Sequence, residues 1–120
     1  MKKGLRSRIR ALQCPRLDFS GAACVDLQRH YAEGFDRAVQ RVLDYMDSYK
    51  PLPELLVDHV DDLLNKQVAE IHGDGCCNTV VGNAGFILAC SQILMLVHEE
   101  HGDEIERARA IRRSGGDDNF

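Results

Sequence analysis

The side chains best equipped for chemistry in this 120-residue chain are His72, Cys76, Cys77, Cys90, His98 and His101. His98 and His101 stand three apart, so on a helix they share a face and can both reach one ion. Zinc sites draw on Cys-x-x-Cys pairs or on the i, i+4 histidines of a His-Glu-x-x-His helix, and His98-Glu99-Glu100-His101 supplies neither. The adjacent Cys76 and Cys77 chelate poorly, and nothing close in sequence is basic enough to lower a thiol pKa and create a nucleophile. Cys90 sits among apolar residues and reads as a small hydrophobe. Asp58-His59-Val60-Asp61-Asp62 has the composition of a hydrolase metal cluster. A helical wheel, however, places His59 on the polar face with Lys66 and spreads the aspartates over a wide arc, the pattern of a solvated surface. The glycine-rich HGDGCCNTVVGNAG lacks the Gly-Lys-Ser/Thr ending and the preceding strand of a phosphate loop. The expectation is a protein without catalytic residues, metal or cofactor.

Five cysteines, Cys14 and Cys24 with the three above, make an odd count with no recognisable framework. The opening MKKGLRSRIR leads into no apolar run of the kind a secretory signal needs. Free thiols in a reducing cytoplasm are expected. Residues 1–16 carry Lys2, Lys3, Arg6, Arg8, Arg10 and Arg16 without an acidic residue, a local +6, whereas the whole chain is −4 and the remainder therefore −10. Such an arm can bind a phosphate backbone, but a solvated terminus is the commoner outcome, and no aromatic residues interleave the charges. Residues 1–18 are expected to be a partly flexible arm, 19–113 one helical domain, and 114–120 a flexible tail.

Behind these residues stand three elements. From Ala22 to about Ser48, Leu27, Tyr31, Phe35, Ala38, Val42, Met46 and Tyr49 recur with helical spacing opposite a charged face, which predicts a long amphipathic helix. Gly34, at the edge of that stripe, points to close approach of a neighbour. Lys50-Pro51-Leu52-Pro53 ends the helix, and Pro53 suits the first position of the next. That second helix is expected to bury Leu56, Val60, Leu63, Leu64, Val68 and Ile71 and to stop at Gly73-Asp74-Gly75. Residues 76–85 are compatible with loop, strand or a helical turn. From Ala84 to Val97 the chain is apolar on every side of a helical wheel. Gly102-Asp103 then reads as a break, with Asp103 and Glu106 forming the capping box of a short last helix or continuing the one before it.

A helix apolar all round has to be covered all round, and eight large side chains at about 1.5–3 kcal/mol each are worth roughly 12–24 kcal/mol of gross burial. Two long helices and a short one are too few to supply that cover. The prediction is an all-α domain of three to four helices that forms a homodimeric bundle, with Phe86, Leu88, Met95 and Leu96 at its interface. Leu96→Asp is then expected to weaken self-association and Arg37→Asp to leave it alone. A membrane span is disfavoured because Asn78, Asn83, Ser91, Gln92 and three glycines interrupt the uncharged stretch.

The helix SGAACVDLQRHYAEGFDRAVQRVLDYMDSY behind a basic start, the break KPLPELL and the segment GNAGFILACSQILMLVHEEH together resemble the pseudomonad quorum-sensing antiactivators, over nearly the whole chain. The resemblance implies a helical homodimer without enzymatic activity, which binds the ligand-binding domain of a LuxR-type transcription factor and blocks its dimerisation and DNA binding. It assigns no contact residues. The alternatives are a nucleic-acid-associated protein using the basic arm, or a thiol or zinc protein.

Overall fold

A computed structural model of the chain describes residues 4–17, 26–71 and 77–117. Among them there are four helices and no strand: α1 (Leu5–Arg10), α2 (Leu27–Tyr49), α3 (Pro53–Ile71) and α4 (Cys77–Asp117). The fold is all-α, as the apolar periodicity predicts.

The amphipathic stripe of α2 buries Leu27, Tyr31, Gly34, Phe35, Ala38, Val39, Val42 and Leu43. The helix starts at Leu27, behind Asp26 in the left-handed region (φ 59°), and residues 18–25 lie outside the described part. It ends where the prolines require, with Lys50 also left-handed (φ 43°) and its amide closing on the Met46 carbonyl at 2.9 Å. In α3, Leu56, Val57 and Val60 are fully buried, Leu63 and Leu64 are half-buried, and Val68 is 41% exposed, so the expected stripe holds over the first turns and opens towards the end of the helix. The Ile71 side chain and residues 72–76 lie outside the described part.

The apolar segment belongs to a helix far longer than its own length. α4 begins at Cys77, which settles residues 77–85 as helix, and runs to Asp117. The expected break at Gly102-Asp103 is not a terminus. Its place is taken by a kink one residue earlier, at His101 (φ −130°, ψ 19°), after which the helix resumes. Arg107 donates to the Asp103 carbonyl at 3.3 Å, and His101 Nδ1 lies 3.4 Å from Glu104. The tail from Ser114 is helical as far as Asp117, and residues 118–120 lie outside the described part.

Helix α4 is the spine: α2 packs on it, α3 packs on it, and α2 and α3 barely approach each other. The core joins Phe35, Ala38, Val42 and Leu43 of α2 to Leu56, Val57 and Val60 of α3 through Phe86, Ala89, Cys90, Ile93, Val97 and Ile105 of α4. The α2–α4 crossing is close enough to require glycine. A Cβ on Gly34 would run into the Gly82 carbonyl, and one on Gly85 into the Tyr31 carbonyl. The neighbour implied by Gly34 in the sequence is therefore the start of α4.

The described part of the basic arm, residues 4–17, is docked on the domain. α1 folds onto α2 and α4, with Ile9 wholly buried and Leu5 and Leu12 packed against the core. Arg6 grips Asp47 with two hydrogen bonds (2.8 and 2.9 Å), and Arg8 reaches Glu100 at 2.7 Å and Glu99 at 3.2 Å. Gln28 fastens the following strand of coil, accepting from the Leu17 amide and donating to the Pro15 carbonyl. The arm escaped sequence reasoning because a six-residue helix carries one buried side chain and no period to detect.

Candidate interaction surface

The residues that could do chemistry are dispersed or already engaged. Among the described residues no three His, Cys, Asp or Glu side chains gather to hold a metal ion. His72 and Cys76 and the Cys77 side chain fall outside the described part. In the run from His98 to His101, Glu99 and Glu100 are taken by Arg8, and His101 leans on Glu100 and Glu104. Cys90 has no exposed surface, and burial pushes its thiol pKa up to about 11, the opposite of what a nucleophile needs.

The acidic run of α3 separates in the same way. Asp58 faces Arg112 at 3.7 Å, beside the Glu54–Arg112 ion pair, and Asp62 pairs with Lys66 at 3.0 Å. His59 lies close enough to Lys66 to feel its charge, but it is half-buried rather than solvated. Its ring stacks on Tyr45 of α2, with centroids 3.7 Å apart and planes within 5°. Burial there lowers its pKa, Lys66 adds to the lowering and Asp62 opposes it. The wheel misplaced it because a half-buried aromatic ring can lie along the flank of a helix and reach a neighbour that the wheel does not know about.

The four residues expected at an interface divide. Phe86 is fully buried in the monomer, beneath the guanidinium groups of Arg37 and Arg41 at 6.0 and 5.7 Å from its centroid, so it is a core residue. Leu96 is half-buried and packs against the core, and Arg37 is not an inert control because it covers Phe86. Leu88, like Leu96, is half-buried and packs against the core, whereas Met95 is 71% exposed. Leu88 and Met95 share the outer face of α4, opposite Phe86, Cys90, Ile93 and Val97.

Along that outer face stand Val81, Ala84, Leu88, Ser91, Met95 and His98, flanked by Val80, Ile87 and Gln92. None of these side chains is fully buried, and Val80, like Met95, is exposed. Between Asp74 and Glu99 the sequence has no acidic residue, lysine or arginine, so the strip carries no formal charge before His98. The Ser91 hydroxyl donates to the Ile87 carbonyl at 3.0 Å, which satisfies it within its own helix. Within Ala84–Val97 the inner side is sealed, while on the outer side Met95 is exposed and its neighbours are partly covered, so the other helices do not wrap the segment completely. By length and composition the same stretch is apolar enough to cross a bilayer, although 44% of its most apolar window is buried within the chain. No protein-family model, curated protein or solved structure matches the chain closely enough to count.

Proposed function

We propose that this chain is a non-enzymatic, cytoplasmic interaction protein that sequesters a transcriptional regulator through the outer face of α4. The observation that carries the reading is the uncharged, partly exposed strip around Met95, 71% exposed, on a helix whose other side is locked into the core. Binding proteins commonly present a rigid helix face with one exposed apolar anchor, and Met is suited to that role because its flexible, polarisable side chain adapts to a partner. The resemblance to quorum-sensing antiactivators supplies the class of partner, a LuxR-type factor whose own dimerisation is blocked. Engagement of two of its arginines in ion pairs within the chain weighs against the basic arm as a nucleic-acid footprint. The glycine crossing and the Arg8 clamp, which tie α4 into the bundle, favour a core helix over a membrane span.

The test is an electrophoretic mobility shift with a purified LuxR-type regulator from the same host and its operator. Equimolar chain is expected to release the DNA, and Met95→Glu, which leaves the fold intact, to lose that effect at least tenfold. Retention of the regulator on DNA at tenfold excess of chain overturns the partner assignment. Salt-sensitive retention of the chain itself on DNA, lost on deleting residues 1–16, would instead support the nucleic-acid reading.

A further inference from the structure

Arg37 and Arg41 stand one turn apart on α2 and bring both guanidinium groups over the Phe86 ring of α4, at 6.0 and 5.7 Å from its centroid. Phe86 has no exposed surface, whereas both arginines lie at the surface. We propose that this pair is a receptor for a phosphate dianion, free or as a phosphomonoester, held by the outward N–H edges of the two guanidinium groups. The site is separate from the docking strip and independent of that reading, since Phe86 and Met95 lie on opposite sides of α4.

The two arginines have carboxylates at helical spacing and do not use them. Glu33, one turn before Arg37, lies beside Arg29 and His30 at 3.6 and 3.7 Å, and Asp44, three residues after Arg41, accepts from Gln40 at 2.8 Å. Among the described residues neither Arg37 nor Arg41 makes an ion pair, whereas Arg6, Arg8 and Arg112 each hold a carboxylate. A cation–π contact engages the flat face of a guanidinium and leaves its N–H fork for a ligand. The ring also fixes where the forks stand, so binding costs less side-chain freedom than it would for two arginines loose in water. Gly82 makes the room. A terminal nitrogen of Arg37 lies 3.9 Å from the position a Cβ would take there, against the backbone of α4.

Charge selects the ligand. Between Asp74 and Glu99 the chain has no acidic residue, lysine or arginine, so the α4 wall behind the pair neither neutralises it nor adds to it. One fork alone satisfies a carboxylate, whereas two fixed positive charges side by side match a dianion. A phosphate presents three acceptor oxygens, enough to engage both forks at once.

Carbon-13 resonances of the arginine Cζ atoms in the full chain, titrated with inorganic phosphate at about pH 8 and constant ionic strength, read the site directly. Those of Arg37 and Arg41 are expected to shift together and to saturate with one dissociation constant, of order 1 mM. Arg109 and Arg113, equally spaced on α4 and over no aromatic ring among the described residues, are the internal control and should respond at least tenfold more weakly. Arg37→Lys and Arg41→Lys keep the charge and lose the fork, and each should weaken binding at least tenfold at unchanged helicity. Phe86→Leu, with both arginines in place, should weaken it as well. Acetate should bind at least tenfold more weakly than phosphate, and Met95→Glu should bind phosphate as the wild type does. An equal response from all exposed arginines, acetate binding as tightly as phosphate, or indifference to both lysine substitutions overturns the proposal. A phosphoserine peptide bound at least tenfold more tightly than inorganic phosphate identifies a modified protein segment as the source of the dianion. Equal affinities identify a free phosphate or a small phosphoester.

Discussion

A thiol without exposed surface and with a pKa of about 11 is chemically silent at neutral pH, and Cys90 is such a thiol. Brief alkylation of the native protein at pH 8 is expected to leave Cys90 unmodified and to label it fully in denaturant, read by peptide mass spectrometry. Labelling of native Cys90 would mean that the α2–α4 core opens far more readily than its packing implies. His59 behaves differently, because burial against Tyr45 lowers a pKa that would otherwise sit near 6.5. The unfolded chain then binds that proton more readily than the folded one. Stability from this residue is complete above about 6.5 and is lost as the pH falls towards the lower folded value. The Asp47 carboxyl, held down by its hydrogen bonds to Arg6, adds a separate loss of stability only in the more acid carboxylate range. Urea midpoints between pH 7.5 and 5 should fall for the wild type and fall less for His59→Phe, which keeps the stack without the proton.

Between α2 and α4 the fit is set by backbone rather than by side chains. Gly34→Ala forces two helix backbones apart and is expected to cost about 1–3 kcal/mol in urea unfolding. Gly102→Ala, with nothing within 4 Å, should gain roughly 0.4–1 kcal/mol by restricting the unfolded chain. Comparable losses at both positions would put the close crossing elsewhere. The sequence made α2 and α3 legible because each has one wet and one dry face, and proline and helical spacing set their limits within a few residues. It made Gly34 legible because a glycine inside a strong helical pattern needs a reason. It left α4 half-read, since a segment apolar on all sides has no moment to reveal which side faces in. That is why Phe86 and Met95, nine residues apart on the same helix, were grouped together although one is sealed and the other open. The His101 kink falls one residue before Gly102-Asp103, so the sequence marked the place but not that the helix carries on through it.

At the scale of the molecule, the N-terminal arm is part of the domain. Ile9 has no exposed surface, and Ile9→Ala is expected to lower unfolding free energy by about 2–4 kcal/mol, with removal of residues 1–16 costing at least as much. A deletion that leaves the urea midpoint unchanged would restore the picture of a loose arm. The interface was legible only as a necessity, that something must cover the apolar helix. Which residues remain uncovered depends on how α1, α2 and α3 share out its circumference, and that is a property of the assembled fold. The same arrangement dictates an order of events during synthesis. Because α2 and α3 meet chiefly by way of α4, which follows both in the chain, their shared core stays incomplete until α4 has been made. A fragment ending at residue 76 should be little more than fluctuating helix by circular dichroism, and the native core forms only once α4 is there to join its two halves.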